Sequence, residues 1–190
     1  MLRLFIAIDL PPSIKEQVAR LQDVLKKQSF PLRLEASSKL HLTLKFLGAV
    51  EDETVPEIIS AIKDCCVRSK QFRVKPAKLG VFPDISRPRV LWLGMEEDEN
   101  ILSTLSLNLD KSFTPLGFAP ESAFHAHVTL GRFNNHLSRG QKEQLAVLLS
   151  HKPPIFIDNF SAEKVSLYQS VLGQGGSQYT ILKEFLLPLG

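Results

Sequence analysis

A four-residue pattern, His-x-Thr-Leu, occurs twice in this chain and constrains its fold more than any other feature. The copies are His41-Leu42-Thr43-Leu44 and His127-Val128-Thr129-Leu130, one in each half of the 190 residues. Each copy lies where apolar and polar residues alternate, which is the period-2 pattern of a β-strand. Side chains at positions i and i+2 of a strand share a face, so each copy directs an imidazole and a hydroxyl to one side. Two such strands predict two related lobes that contribute one strand each to a shared cleft.

Strand and helix patterns alternate along the rest of the chain. We predict strands at 2–10, 32–35, 40–47, 72–79, 89–94, 125–133, 155–160, 163–168 and 178–185, a turn at 173–176, and helices to about 28 from a cap at 13, and at 54–68, 101–113 and 138–149. This order favours an α+β protein that is bilobal, with two pseudo-twofold-related lobes of antiparallel-rich sheet and outer helices around a central cleft. Because no Ser/Gly linker divides the chain, we expect residues 1–190 to form a single domain of two intimately packed lobes.

Local sequence patterns predict where two helices start and which way several strand side chains face. Ser13 and Glu16 fit a helix capping box, and Ser138 fits the start of the last helix.

Gly48 should end the strand of the first motif. In that strand Lys45 would share the histidine face by alternation, whereas Phe46 would face the core. In a regular strand the side chains of Arg132 and His127 would point to opposite faces, because the residues are five positions apart. Only a bulge or the strand's end could turn Arg132 toward the histidine.

Composition excludes several classes of protein. The net charge of +3 permits an anionic substrate, but a protein that grips long nucleic acid usually has a denser basic surface. No apolar run is long enough to span a bilayer, and residues 2–10 resemble a strand more than a signal peptide.

The only cysteines, Cys65 and Cys66, are adjacent, which disfavours a disulfide. Their helical segment should place one of them toward the core. We therefore expect a cytoplasmic location.

The residue types of the two motifs suit phosphoryl chemistry. The ordinary pKa of histidine lies near neutrality, so His41 and His127 could act as a general acid and a general base. The hydroxyls of Thr43 and Thr129 could donate hydrogen bonds to phosphate oxygens. Arg132 offers a planar set of donors that matches a phosphate.

A metal site is the main alternative for these histidines. His125 and His127 form a His-x-His pair, which can bind zinc, but neither His136 nor His151 lies where it would supply an evident third ligand. The cysteines lack metal-ligand spacing. Phosphate-binding and dinucleotide-binding glycine loops and a nucleophilic serine elbow are also missing from the sequence. We therefore expect neither a metal nor a cofactor, and His125 to be structural or at the edge of the cleft.

The paired motifs resemble those of the 2H phosphoesterase superfamily, and the nearer similarity is to its RNA 2′,3′-cyclic phosphodiesterase branch, also described as bacterial 2′–5′ RNA ligases. The resemblance covers nearly the whole chain and rests on Arg3–Ile8, Leu40–Gly48, Gly80–Pro83, Pro88–Gly94, Phe124–Arg132, Leu167–Ser170 and Tyr179. Two positions depart from the usual family pattern: Ala126 replaces a proline before the second motif, and Leu34 replaces a tryptophan before the first.

The resemblance implies a bilobal fold and metal-independent hydrolysis of a 2′,3′-cyclic phosphate to a 2′-phosphate. It implies that His41 donates a proton to the leaving O3′, that His127 activates water, and that Thr43, Thr129 and Arg132 hold the phosphate. The substrates would be RNA 3′ ends or small cyclic-phosphate nucleotides, handled by a monomer without an obligate protein partner or membrane. A 2′–5′ RNA ligase acting on tRNA halves and an RNA-end binding module without turnover remain alternatives.

Overall fold

The computed structural model describes residues 1–97, 99–120, 123–151, 153, 155–173 and 176–190. The strands are β1 (Leu2–Asp9), β2 (Leu32–Leu34), β3 (His41–Val50), β4 (Phe72–Phe82), β5 (Val90–Glu96), β6 (His127–Phe133), β7 (Phe160–Ala162), β8 (Lys164–Gly173) and β9 (Gly176–Leu186). The α-helices are α1 (Pro12–Lys26), α2 (Val55–Val67), α3 (Ile101–Phe113) and α4 (Arg139–Ser150). None of these helices is long and apolar enough to cross a membrane.

One antiparallel sheet runs through both halves of the molecule in the order β7-β4-β5-β6-β3-β1-β8-β9, with β2 added on β6. The two motif strands, β3 and β6, are neighbours in the middle of this order. Within the described residues they are paired only where Leu42 lies opposite Val128, so the strands diverge on either side of this point. Four strands therefore lie on the β3 side of the junction and five, counting β2, on the β6 side, which confirms the predicted bilobal α+β fold.

The helices cover the sheet on the side away from the cleft. Helices α2 and α3 pack on each other, α3 packs on β3, α2 packs on β9, and α4 packs on β4. The expected inner face of α3 is buried in full, with Leu102, Leu105, Leu109 and Phe113 in the main hydrophobic core. Because α3 packs on β3 from the side that carries Leu42 and Leu44, the opposite face of this central strand is left open for a site.

Two of the predicted helix starts have different outcomes. Ser138 caps α4 as predicted, and with Gln141 it forms a capping box. Ser13, in contrast, does not cap α1, because the helix begins at Pro12 and Pro11 occupies the cap position without a side-chain hydrogen bond. Proline at the first helical position is favourable since its φ is already helical, and this places Ser13 inside the first turn.

The strand predicted at residues 155–160 is wrong. Pairing with β4 begins only at Phe160, in β7. Just before it, Gln17 of α1 accepts a hydrogen bond from the backbone N–H of Asp158 (2.7 Å) and donates one to its carboxylate (2.8 Å). A backbone donor that could have joined a sheet is thus used by a helix side chain. The turn expected at residues 173–176 lies partly outside the described residues, although Gly173 and Gly176 pair at the end of the β8–β9 hairpin.

Both cysteines are buried free thiols, whereas the sequence predicted that only one would face the core. Helix α2 is covered on two sides, by α3 and by β9, so its buried surface is wider than a single stripe. Cys65 Sγ lies 3.4 Å from the hydroxyl oxygen of Ser112 on α3. Burial raises the pKa of the Cys66 thiol to about 12, so this thiol stays protonated and unreactive.

Candidate active site

The two motifs meet in a cleft of about 360 Å³ that opens beside the junction of β3 and β6. Because Leu42 lies opposite Val128 in an antiparallel pair, His41 is set toward Thr129, and Thr43 is set toward His127. These four side chains line the cleft, and the aliphatic residues between them are buried behind it. Arg132 also lines the cleft, so the structure brings together all five residues that the sequence singled out.

A bulge at the last residue of each motif decides which side chains come next into the cleft. In β3, Ala7 pairs with Thr43 and Ile6 with Lys45, so Leu44 is an extra residue. In β6, Trp92 pairs with Thr129 and Leu91 with Gly131, so Leu130 is the extra residue at the equivalent position. An extra residue reverses the alternation beyond it.

The bulge in β6 turns Arg132 toward His127, as the sequence argument required. The bulge in β3 overturns two expectations, because it buries Lys45 and exposes Phe46, which lines the cleft. Lys45 therefore does not share the histidine face. Its ammonium donates to the Asp110 carboxylate of α3 and to the carbonyl oxygen of Ala119 (3.0 Å). The strand also continues past Gly48, whose φ of +73° accompanies a second irregularity, and it ends at Val50.

Both histidine rings are oriented by a hydrogen bond to the backbone carbonyl oxygen of the residue two positions earlier. The Nδ1 of His41 lies 2.6 Å from the carbonyl oxygen of Lys39, and the Nδ1 of His127 lies 2.6 Å from that of His125. A carbonyl oxygen can only accept a hydrogen bond, so Nδ1 carries the hydrogen in each ring. Nε2 is left as the nitrogen that can give or take a proton in the cleft.

The surroundings of His41 combine aromatic rings with negative charge. Its ring centroid lies 4.9 Å from that of Phe5 and 5.4 Å from that of Tyr179. Burial lowers the pKa of His41 below its ordinary value, and the charge of His127 adds to this decrease, while the Lys39 carbonyl and the carboxylates of Asp9 and Glu35 act against it. The carbonyl and the two carboxylates favour the protonated form of His41.

The surroundings of His127 are aromatic too, but the nearby charge is positive. Its ring centroid lies 5.0 Å from that of Phe82 and 6.1 Å from that of Trp92. Burial lowers the pKa of His127, the carbonyl of His125 opposes the decrease, and the charges of His125 and Arg132 add to it. His127 is therefore favoured in the neutral form, in which Nε2 can accept a proton.

Glu35 is the main cleft residue that sequence reasoning did not identify. Its carboxylate lies 3.5 Å from the Nε of Arg132, whose side chain remains 53% exposed and available to an anion. The buried amide of Gln22 donates to the carbonyl oxygens of Glu35 and Leu130 (2.9 Å each) and fixes this segment. Gly131 makes the arrangement possible, because a Cβ there would lie 2.7 Å from the carbonyl oxygen of Arg33.

Other lining residues also lacked a clear sequence signal. Arg3, Phe46, Ser170, Ser177 and Tyr179 belong to strands whose alternation alone did not indicate which face would meet the cleft. Period-2 spacing from Phe5 could have identified Arg3, provided that the cleft face of β1 had been known.

His125 contributes mainly through its backbone carbonyl, which holds His127, while its ring packs 5.8 Å from that of Phe82. Among the residues that the structure describes, no group of three or more His, Cys, Asp or Glu side chains is arranged to hold a metal ion. The arrangement that the structure does contain is two imidazoles on neighbouring strands, with hydroxyl and guanidinium donors lining the same cleft. Such an arrangement is typical of a phosphoesterase.

Comparisons with known proteins place the chain in a family of that class. A family model described as LigT-like phosphoesterase matches residues 8–92. The RNA 2′,3′-cyclic phosphodiesterase of Methanothermobacter thermautotrophicus is 32% identical over 97% of this chain and 98% of its own length. The chain belongs to the LigT-like phosphoesterases of the 2H superfamily and is an enzyme of that family.

Solved structures agree with this assignment. TT0787 of Thermus thermophilus superimposes with a TM-score of 0.82 at 25% identity, covering 98% of both chains. Escherichia coli LigT complexed with 3′-AMP superimposes with a TM-score of 0.77 at 28% identity, again covering 98% of both chains.

Proposed function

We propose that this enzyme hydrolyses 2′,3′-cyclic phosphates at RNA ends to 2′-phosphates, without a metal ion, by acid–base catalysis between His41 and His127. The observation that carries the proposal is that two similarly held imidazoles share one cleft, with carboxylates near His41 and the Arg132 guanidinium near His127. Carboxylates favour a proton on His41, and cationic neighbours disfavour one on His127. An acid and a base are the two groups that opening a cyclic phosphate requires.

In the proposed reaction the Nε2 of His127 removes a proton from a water molecule as the water oxygen attacks phosphorus. The bond between phosphorus and O3′ breaks, and His41 gives its Nε2 proton to O3′. The product carries a 2′-phosphate and a free 3′-hydroxyl. The P–OH group of the 2′-phosphate product then gives its proton to the Nε2 of His41, and His127 releases its proton to solvent, which returns both histidines to their starting states.

Charge stabilisation would come from the other predicted site residues. The hydroxyls of Thr43 and Thr129 would donate to the non-bridging oxygens of the phosphate. Arg132 would neutralise negative charge that grows in the transition state, and its tie to Glu35 holds the guanidinium at the rim before substrate arrives. The exposed ring of Phe46 offers a surface for the nucleoside.

The relatives support the choice of substrate. The Methanothermobacter protein is an RNA 2′,3′-cyclic phosphodiesterase, and the E. coli protein has been crystallised with 3′-AMP, a nucleotide with a ribose phosphate. A cyclic phosphate on RNA presents a phosphate at the same end of a ribose. We also propose a single domain that acts as a monomer in the cytoplasm, a location supported by the two free thiols.

The test is turnover of an RNA oligomer that ends in a 2′,3′-cyclic phosphate, in the presence of EDTA. We expect the parent enzyme to produce 2′-phosphate ends and His41→Ala and His127→Ala each to lose about 10²-fold or more in rate. His136→Ala is a matched control, because His136 is exposed and outside the cleft, and it should retain full activity.

Loss of the parent's activity in EDTA would contradict metal independence. Activity that survives either cleft substitution would contradict the acid–base pair. Joining of the cyclic-phosphate end to a second RNA that carries a 5′-hydroxyl, in preference to hydrolysis, would favour 2′–5′ ligation by the same histidines.

A further inference from the structure

A cationic side chain lies in the same cleft beyond the two histidines. Arg3 precedes Phe5 by two residues on β1, and strand side chains two residues apart share a face about 7 Å from each other. The Phe5 ring packs on the ring of His41, so Arg3 is on the face of β1 that borders the cleft. The exposed Arg3 side chain lines this cleft. Among the described residues, its guanidinium has neither a hydrogen bond nor an ion pair, in contrast to the Arg132 guanidinium beside Glu35.

Two hydroxyl groups, those of Ser170 and Tyr179, lie beyond Arg3 on the next two strands of the sheet. Strand β1 pairs with β8 at Leu4 and Gln169, and continuing the antiparallel register by one residue sets Arg3 opposite Ser170. Ser170 in turn pairs with Tyr179 on β9. All three residues line the cleft. Burial raises the pKa of Tyr179, so its phenol keeps the hydrogen that it can donate.

We propose that Arg3, Ser170 and Tyr179 form a second phosphate subsite, which binds the phosphodiester on O5′ of the terminal nucleotide while the histidines act on its cyclic phosphate. The inference rests on the proposed function and narrows its substrate class. Tyr179 connects the two positions, since its ring lies 5.4 Å from that of His41 and its strand partner is Ser170. A free cyclic mononucleotide has no phosphate at O5′, so the cleft would prefer the end of an RNA strand.

The test compares the equilibrium binding of two probes, 3′-AMP and the dinucleotide ApAp with a 3′-phosphate, by calorimetry. We expect the parent to bind ApAp about tenfold more tightly, as one charge-assisted contact allows. Arg3→Gln should remove this preference and leave 3′-AMP affinity unchanged. Arg20→Gln, at an exposed position on α1 outside the cleft, is the matched control and should keep the preference.

Two further measurements address the charge itself. A methylphosphonate dinucleotide, whose internal linkage is neutral, should bind the parent no more tightly than 3′-AMP. The logarithmic salt dependence of ApAp binding should be steeper than that of 3′-AMP by about 0.7, the value for one phosphate of a single strand, and Arg3→Gln should abolish the difference.

Equal binding of both probes by the parent would overturn the subsite. A loss of affinity in Arg3→Gln that is the same for both probes would also overturn it, because the arginine would then act on the whole cleft. Binding does not require turnover, so an inactive parent that retained the Arg3-dependent preference would refute the hydrolysis and uphold the subsite.

Discussion

The two motif strands share a backbone plan and differ in the side chains placed on it. In each strand the histidine is followed by a threonine on the same face, then by an extra bulged residue, a buried residue and a residue that returns to the cleft. The buried residue is Lys45 in one strand and Gly131 in the other. The returning residue is Phe46 in one and Arg132 in the other. The comparison suggests that the shared plan positions two similar imidazoles, and that the unlike residues around them assign different proton roles.

The largest effect, on the free energy of unfolding, should come from replacing Lys45, the buried residue that follows the bulge in β3. Lys45→Met would remove the buried ammonium that pairs with the Asp110 carboxylate, and breaking such a pair typically costs about 3 kcal/mol or more of unfolding free energy. Urea denaturation would measure the loss. Lys63→Met, at an exposed position on α2, is the control and should change stability little. A Lys45 variant as stable as this control would show that the ion pair does not hold the bulge.

The next effect separates the two residues that return to the cleft. Arg132→Gln should lower kcat/KM about 100-fold, mainly through kcat, because one donor to the transition-state charge is lost. Phe46→Ala should act mainly through KM, since the ring offers contact area and no charge. Steady-state kinetics on the cyclic-phosphate oligomer would distinguish them. Equal changes in kcat for both variants would contradict the assigned asymmetry.

A smaller effect should follow from neutralising the carboxylate near His41. Glu35→Gln removes a negative charge that raises the pKa of His41, so that pKa should fall. His41 must be protonated to act as the acid, and activity is lost as pH rises through its pKa. The basic limb of the pH–rate profile should therefore move to lower pH. Glu143→Gln, which disrupts an exposed pair with Arg139 on α4, should leave the profile unchanged.

The sequence predicted most of the fold because periodicity reports burial directly. Helix α3 has the predicted limits, and the motif residues lie on the expected face. Arg132 lies in the cleft as expected, because its phase relative to His127 required a bulge and Leu130 supplies one. Lys45 and Phe46 were assigned to the wrong faces because nothing in the order of residues in β3 marks Leu44 as extra; the bulge becomes visible only against the partner strand β1.

The remaining misses have the same origin in tertiary contacts. Glu35 was not identified as a cleft residue because its position depends on Gln22 of α1 and on the close approach of β2 to Gly131. The strand expected at residues 155–160 failed because Gln17 binds the backbone of Asp158. Each of these contacts joins residues far apart in sequence, which period and propensity do not report.

The pH dependence of kcat/KM in the two histidine variants tests the central claim most directly. The parent should give a bell-shaped profile, with an acid limb from His127 that lies below the ordinary histidine value of 6.5. His127→Ala should lose the acid limb of its residual activity and keep the basic limb, whereas His41→Ala should lose the basic limb and keep the acid one. Loss of the same limb in both variants, or reversal of the two limbs, would contradict the assignment of His41 as the acid and His127 as the base.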